Sequence, residues 1–276
     1  MPDFPGFKTL QLSESPAGCA HLQLARPRQG NAIDDTMWTE LPKAFHWLNA
    51  QARLKAVILS GQGKNFCTGI DLAMAAAALA GDATPPCPDH QHLSLIKILQ
   101  MQGALSAIEA CRWPVVAAIH GACIGAGVDM AAACDLRFCT HTATFCVKEV
   151  DLAIVADMGT LQRLPTIIGH GAARELCLTG RQFHASEAHH FGLVTRVLLT
   201  DNALMTHVAD VAASLAAKSP WAITGTKQVL LHARDHSVED GLQHVALYNA
   251  ARLPNAEVAE AFAAIKQRRP PVYSKL

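Results

Sequence analysis

No run of lysine and arginine stands out in this sequence, and its 23 basic residues are matched by 23 acidic ones. A chain without a basic tract offers little to a nucleic acid or an anionic membrane surface. Cys-x-x-Cys is also missing: the nine cysteines, at 19, 67, 87, 111, 123, 134, 139, 146 and 177, follow no disulfide or metal spacing. Several sit inside Ala/Val/Ile runs, where a free thiol behaves as a small apolar group. The opening MPDFPGFKTL lacks the features of a secretory signal, and with the unpaired thiols this points to a reducing intracellular compartment. Fourteen histidines invite a metal. However, the nearest pairs (His90 and His92, His189 and His190, His232 and His236) have no cysteine or acid at ligand spacing, so no metal is expected. No low-complexity linker divides the 276 residues, half of them hydrophobic, so a substantial core is available. The longest apolar run, Trp113 to Cys134, contains glycines, His120 and Asp129, which fits a buried strand, turn and helix better than a membrane span.

What is present is an alternation of strand and helix. Phe7–Leu12 and Cys19–Ala25 read as strands joined by the turn SESPAG. After RPRQGNAID, where Asn31 or Asp34 is placed to cap, Met37, Leu41, Ala44, Phe45 and Leu48 recur at helical spacing. Pro42 falls early enough in that helix to be tolerated. Ala56–Ser60 reads as a buried strand leaving through GQGKNFCTGIDL, where Ile70–Leu72 opens a helix. From Ala73 to Pro88 the chain turns from alanine-rich to Pro/Asp-rich, which suggests a mobile helix and loop beside a pocket. Leu93–Ala110 reads as an amphipathic helix and Pro114–Ile119 as another buried strand. Later the pattern predicts a helix over Gly171–Thr179 and a short strand over Leu193–Val197. A long helix capped by Asp201 or Asn202 then runs to Lys218, and helices follow over Pro220–Arg234, Val238–Ala251 and Ala256–Gln267. Strands and helices alternate in the first two-thirds and helices dominate the last third, an α/β architecture with a helical tail.

The richest stretch is Ile119 to Pro165, IHGACIGAGVDMAAACDLRFCTHTATFCVKEVDLAIVADMGTLQRLP. A strand runs into Gly121, Gly125 and Gly127 and then into a helical Ala/Met/Cys run. That order leaves free backbone N–H groups at a helix N-terminus, where they can hold an oxygen bearing negative charge. The loop GKNFCTGIDL has the same design and could supply a second N–H to the same oxygen. Three acids follow among apolar neighbours: Asp129, Glu149 and Asp157. Carboxylates so placed are costly to bury unless paired or protonated, which makes them candidates for proton transfer. Asp135, Arg137 and Asp151 read as structural, an ion pair or a cap.

These segments resemble the enoyl-CoA hydratase/isomerase (crotonase) superfamily along almost the whole chain, from LARPRQGNAID through TGIDL and HGACIGAGVD to FGLVTRV. FCVKEVDLAIVADMGTLQRLP and RDHSVEDGL look most like its Δ3,5-Δ2,4-dienoyl-CoA isomerase branch. The resemblance implies a spiral of ββα repeats over residues 1–198. It also implies a helical region over 199–276 that packs on the core and on neighbouring subunits of a trimer or hexamer. It further implies an acyl-CoA thioester substrate, with CoA part of the substrate and no separate cofactor. The thioester oxygen would be held by the backbone N–H groups of Ile70 and Ala126, beside Thr68, Gly69, Asp71 and Leu72. Where the family usually has glycine, Ala126 adds a methyl group, so the turn must suit a non-glycine residue.

Hydratases of the superfamily have glutamates at the positions of Asp129 and Glu149 and a glycine where this chain has Asp157. The resemblance therefore favours the isomerase, with Asp157 as the C2 base, Glu149 as the C6 acid and Asp129 supporting Glu149. The first two roles remain exchangeable. A 2-enoyl-CoA hydratase, a Δ3,Δ2-enoyl-CoA isomerase and a non-catalytic acyl-CoA-binding scaffold are the alternatives. Arg28, Lys266 and Arg268 are candidate partners for the CoA phosphates. Ser274-Lys275-Leu276 matches a peroxisomal address, so the expectation is peroxisomal in a eukaryote and cytoplasmic in a bacterium.

Overall fold

The computed structural model describes residues 5–79 and 88–273. Cys87, Ser274-Lys275-Leu276 and most of the Pro/Asp-rich stretch lie outside the described residues. Strands β1 (Leu10–Glu14) and β2 (Cys19–Leu24) form an antiparallel pair. Helix α1 (Asp35–Ala50) follows, then β3 (Ala56–Gly61), α2 (Leu72–Leu79), α3 (Pro88–Glu109) and β4 (Val115–Ile119). The central stretch holds β5 (Ala122–Ile124), α4 (Ala126–Ala132), β6 (Leu136–Thr140), β7 (Thr144–Cys146) and α5 (Thr160–Ile168). After it come α6 (His170–Thr179), β8 (Phe183–His184), α7 (Ala185–His190) and β9 (Arg196–Leu198). Helices α8 (Asp201–Ala216), α9 (Pro220–Arg234), α10 (Val238–Ala250) and α11 (Ala256–Gln267) complete the described chain.

Six strands make one sheet in the order β1-β2-β3-β4-β6-β9, parallel from β2 onward. A smaller sheet, β5-β7-β8, stands beside it. The continuous apolar runs of β3 and β4 reflect burial on both faces. Val57, Leu59, Val115, Ala117 and Ile119 face the main core with α1 and the end of α3, while Ala56, Ile58, Val116 and Ala118 meet α8. Two-residue alternation sorts them.

Local chemistry accounts for the element ends. Asp34, not Asn31, caps α1, its carboxylate accepting the Met37 N–H at 2.8 Å. Asn31 instead adopts a positive φ of 59° and donates to the carbonyls of Gln62 (2.9 Å) and Asn65 (2.8 Å). Thr200, rather than Asp201 or Asn202, caps α8 by accepting the Ala203 N–H at 3.1 Å. Helix α3 departs from the amphipathic expectation: Ala104, Leu105 and Ile108 are buried, but Leu93, Leu95, Ile96 and Leu99 are exposed. Only its last turns reach the core. The strand expected at Leu193–Val197 is shorter and later, at Arg196–Leu198. No helix among the described residues is long and apolar enough to cross a membrane.

From Asp201 on, the described chain has helices and no strand. Helix α9 is tied to the core by Lys227, which is buried and donates to Asp135 Oδ2 (2.7 Å) and to the Trp113 carbonyl (3.1 Å). Asp135 also accepts the Val115 N–H at 2.7 Å. Arg137 is separately spent on the carbonyls of Leu193 and Cys134.

Candidate active site

Two loops meet edge to edge beyond the ends of β3 and β4. Cys67 N–H donates to the Ala122 carbonyl (3.0 Å), and Ile124 N–H donates to the Cys67 carbonyl (2.9 Å). The resulting parallel bridge sets Cys67 opposite Cys123. The approach is too close for side chains at two points. A Cβ on Gly121 would lie 2.0 Å from the Lys64 carbonyl oxygen, and one on Gly127 would lie 2.6 Å from that of Cys67.

Three residues past each member of the bridge stand Ile70 and Ala126. Ile33 N–H donates to the Gly69 carbonyl (2.8 Å) and Asp71 N–H donates to the Ile33 carbonyl (3.0 Å). These bonds use the groups flanking Ile70, so its own N–H points to the opposite side of the strand. Ala126 is the first residue of α4, where an N–H has no partner within the helix. Gly125 takes up the turn with φ 52°, which leaves Ala126 in ordinary helical geometry and answers the question raised by its methyl group. Neither N–H meets an acceptor among the described residues. A Cβ on Gly69 would lie 4.0 Å from the Ala126 nitrogen, so the two donors border one small space.

Of the other residues expected at the pocket edge, Thr68 holds the loop through its N–H to the Gly30 carbonyl at 3.1 Å. Asp71 is committed elsewhere. Its carboxylate pairs with Arg26 at 2.9 Å and caps α2 through the Ala73 N–H (3.1 Å), and the Arg26 bond holds it below the usual carboxylate range. Leu72 is exposed.

The three acids lie within electrostatic reach of one another. Asp129 is fully buried within α4, and burial pushes its carboxyl up to about 6. Its Oδ1 accepts the Thr160 N–H at 2.5 Å, at the start of α5, while its Oδ2 has no partner. Glu149 opens a 3-10 turn over Glu149–Leu152 and is half-buried. Desolvation, with the charges of Asp129 and Asp157, pushes it up to about 7. Its Oε1 would lie 3.2 Å from a Cβ on Gly125, so it faces the turn that presents Ala126, and its Oε2 is buried without a partner. Asp157 is half-buried between the buried Ala156 and Met158, and burial raises it too. Both Asp129 and Glu149 feel its charge. Two free amides and three carboxyls with raised proton affinity can polarise a carbonyl and move protons beside it.

The sequence reading missed the polar residues beside the Asp157 turn. Gln102 Nε2 donates to the Asp157 carbonyl at 2.7 Å. Arg163 pairs with Glu109 (3.1 Å) and donates to Ser106 Oγ (3.2 Å). Gln102, Ser106 and Glu109 are spaced by four and three on α3, a polar stripe that was visible but had no evident partner. Arg28, Lys266 and Arg268 are all exposed. Among the described residues no group of three or more His, Cys, Asp or Glu is arranged to hold a metal ion. His232 and His236 stack on each other, ring centroids 3.7 Å apart. The eight described cysteines are all buried and unpaired.

This fold and site define the enoyl-CoA hydratase/isomerase family, and the chain belongs to it: the family pattern matches residues 14–275. A peroxisomal Δ3,5-Δ2,4-dienoyl-CoA isomerase from Arabidopsis thaliana is 45% identical over 98% of both chains. The human mitochondrial Δ3,5-Δ2,4-dienoyl-CoA isomerase is 38% identical over 98% of this chain and 84% of its own length. A solved enoyl-CoA hydratase from Bacillus anthracis superposes with a TM-score of 0.89 at 28% identity, covering 98% of this chain and 100% of that one. The α/β fold is therefore the crotonase fold.

Proposed function

We propose that the chain is a Δ3,5-Δ2,4-dienoyl-CoA isomerase acting in fatty acid β-oxidation. Asp157 takes a proton from C2 of the 3,5-dienoyl thioester. The freed pair forms C2=C3, the C3=C4 pair moves to C4=C5, and the C5=C6 pair takes a proton from Glu149 at C6. In between, negative charge is shared with the thioester oxygen, held by the N–H groups of Ile70 and Ala126. Such donors contribute about 3–4 kcal/mol each in comparable sites. Glu149, pushed up to about 7, is protonated in about half of the molecules at neutral pH, far more than an ordinary glutamate, which supports it as the donor and Asp157 as the base. Asp129 keeps negative charge or a shared proton next to Glu149. Every electron pair stays within the acyl chain, so the reaction as written calls for neither a redox cofactor nor a metal, and CoA enters as part of the substrate.

The observation that carries this function is the third carboxylate. Asp157 bears on the same electrostatic cluster as Asp129 and Glu149, and relatives named for this activity are 38% and 45% identical over nearly the whole chain. The direct test presents purified protein with a 3,5-dienoyl-CoA and a 2-enoyl-CoA side by side and follows their ultraviolet absorbance. Faster gain of the conjugated 2,4-diene supports the isomerase. Faster hydration of the 2-enoyl-CoA replaces it with a hydratase, a second function favoured by the unpartnered Asp129 Oδ2 and Glu149 Oε2, which could hold a water between two acids.

Trimeric or hexameric assembly fits the exposed Leu230, Leu242, Leu247, Phe262 and Ile265 on α9–α11. The two relatives named above are peroxisomal and mitochondrial, so in a eukaryote the proposed site of action is one of those organelles.

A further inference from the structure

The turn that carries Asp157 is held very lightly. Among the described residues no backbone–backbone hydrogen bond reaches Val155, Ala156, Asp157 or Met158; the last before them is Ile154 N–H to the Glu149 carbonyl, and the next starts from the Gly159 carbonyl. Burial of Ala156 and Met158 fixes which way the stretch faces, but apolar burial is non-directional and holds no particular atom in place. Among the described residues one polar contact reaches it from another element: Gln102 Nε2 to the Asp157 carbonyl at 2.7 Å, across 55 residues. The face of α3 bearing Gln102 is itself anchored. Four residues on, Ser106 accepts from Arg163, and three further on, Glu109 pairs with Arg163 of α5 and with Arg234 of α9. Gln102, Ser106, Asp157, Arg163 and Arg234 also line one polar cavity of about 390 Å³.

From this arrangement we propose that Gln102 is a positioning residue for the isomerisation, setting where the Asp157 carboxylate stands relative to the substrate carbon it deprotonates. The inference rests on the base role given to Asp157 above. A carboxylate displaced by about an ångström from its target hydrogen loses on the order of a hundredfold in rate. The amide touches the main chain of Asp157 and not its carboxylate, so its effect falls on geometry and not on charge.

The test is Gln102→Met, which keeps the length and removes the donor, with Gln102→Leu in reserve should the first variant fail to fold. The expected result is a kcat lower by roughly tenfold to a hundredfold, KM for the dienoyl-CoA within about twofold of wild type, and an unchanged melting temperature. In the Asp157→Asn background the same change is expected to have no further effect, because Gln102 acts through Asp157. Wild-type kcat in Q102M overturns the proposal, as does a loss confined to KM, a loss that tracks the melting temperature, or full additivity with D157N. Wild-type protein inactive on the diene would instead count against the proposed function. In that case exchange of the acyl-CoA α-hydrogen in deuterated solvent still reads on Asp157, and exchange as fast in Q102M as in wild type overturns the positioning role.

Discussion

The two halves of the candidate site are built to different standards of rigidity. On the side of Ile70 and Ala126, two loops are locked by reciprocal backbone hydrogen bonds around Cys67 and packed so closely that Gly121 and Gly127 admit no side chain. On the side of Asp157, four consecutive residues have no backbone–backbone hydrogen bond among the described residues and depend on packing and one glutamine amide. The difference matches what the proposed mechanism asks of each half. Oxyanion donors work by being preorganised, because reorientation during the reaction would cost back the stabilisation they supply. A proton carrier must approach a carbon, exchange its proton and be reset, so some freedom there is useful.

The comparison is broken most severely by removing the acids. Asp157→Asn and Glu149→Gln are each expected to lower kcat on a 3,5-dienoyl-CoA by at least about a hundredfold, the low end for general acid–base groups. Near-wild-type turnover in steady-state assays would take that residue out of the mechanism.

Gly121→Ala tests the rigid half next. Its φ of 57° already disfavours a side chain, and the new methyl would collide with the Lys64 carbonyl, so the loop must shift. A drop in kcat/KM of roughly tenfold or more is expected, through displacement of donors worth about 3 kcal/mol. The melting temperature should fall with it, unlike Q102M, where only turnover should change. An active variant of unaltered stability would show that the clamp is softer than its contacts imply.

The pH dependence separates the halves without mutation. Glu149 has to be protonated to act as donor, so activity is expected to decline as pH rises through about 7; it should also decline at acid pH as Asp157 takes up its proton. The amide donors do not titrate. Stability follows with a definite sign. Glu149 and Asp129 have folded-state values of about 7 and about 6, raised above those of an unfolded chain, so the folded protein binds their protons more tightly. That contribution is full below the unfolded values near 4 and is lost as pH rises towards 7. Melting temperatures measured from pH 5 to 8 should therefore fall, and less steeply in Glu149→Gln.

How much of this could be read from the chain itself divides along the same line. Only part of the rigid half is local: glycine spacing, a strand entering a helix and an acid three residues past Ala126 are neighbours in sequence, so free amides at a helix start and a buried Asp129 could be read there. The pairing of Ile70 with Ala126, by contrast, came from the family resemblance, and their loops meet through the distant Cys67–Ala122 contact. The flexible half is held from a distance. Gln102 lies 55 residues from the carbonyl it binds, and helical periodicity says only that Gln102, Ser106 and Glu109 share a face. The exposed apolar start of α3 was missed for a related reason, since periodicity marks a face without saying what covers it. Strands β5, β7 and β8, of three, three and two residues, are too short to carry an alternation pattern.

The smallest effect on turnover should come from the link between the C-terminal helices and the core. Lys227 is buried and gives its charge to Asp135, which among the described residues accepts one further hydrogen bond, from Val115 N–H. Burial already raises the Asp135 carboxyl and Lys227 opposes that push, so Lys227→Met leaves a desolvated acid without its cation. Removing one partner of such a pair costs about 3–5 kcal/mol, mostly through the charge left behind. The variant should melt well below wild type yet keep its kcat within about twofold at temperatures where it is folded, because Lys227 is at neither half of the site. Adding Asp135→Asn should recover part of the lost stability by removing the stranded charge, whereas independent contributions would make the double variant worse than either single one. Recovery in thermal melts, with unchanged kcat throughout, would confine this ion pair to holding α9 on the sheet and leave catalysis to the two unequal halves above it.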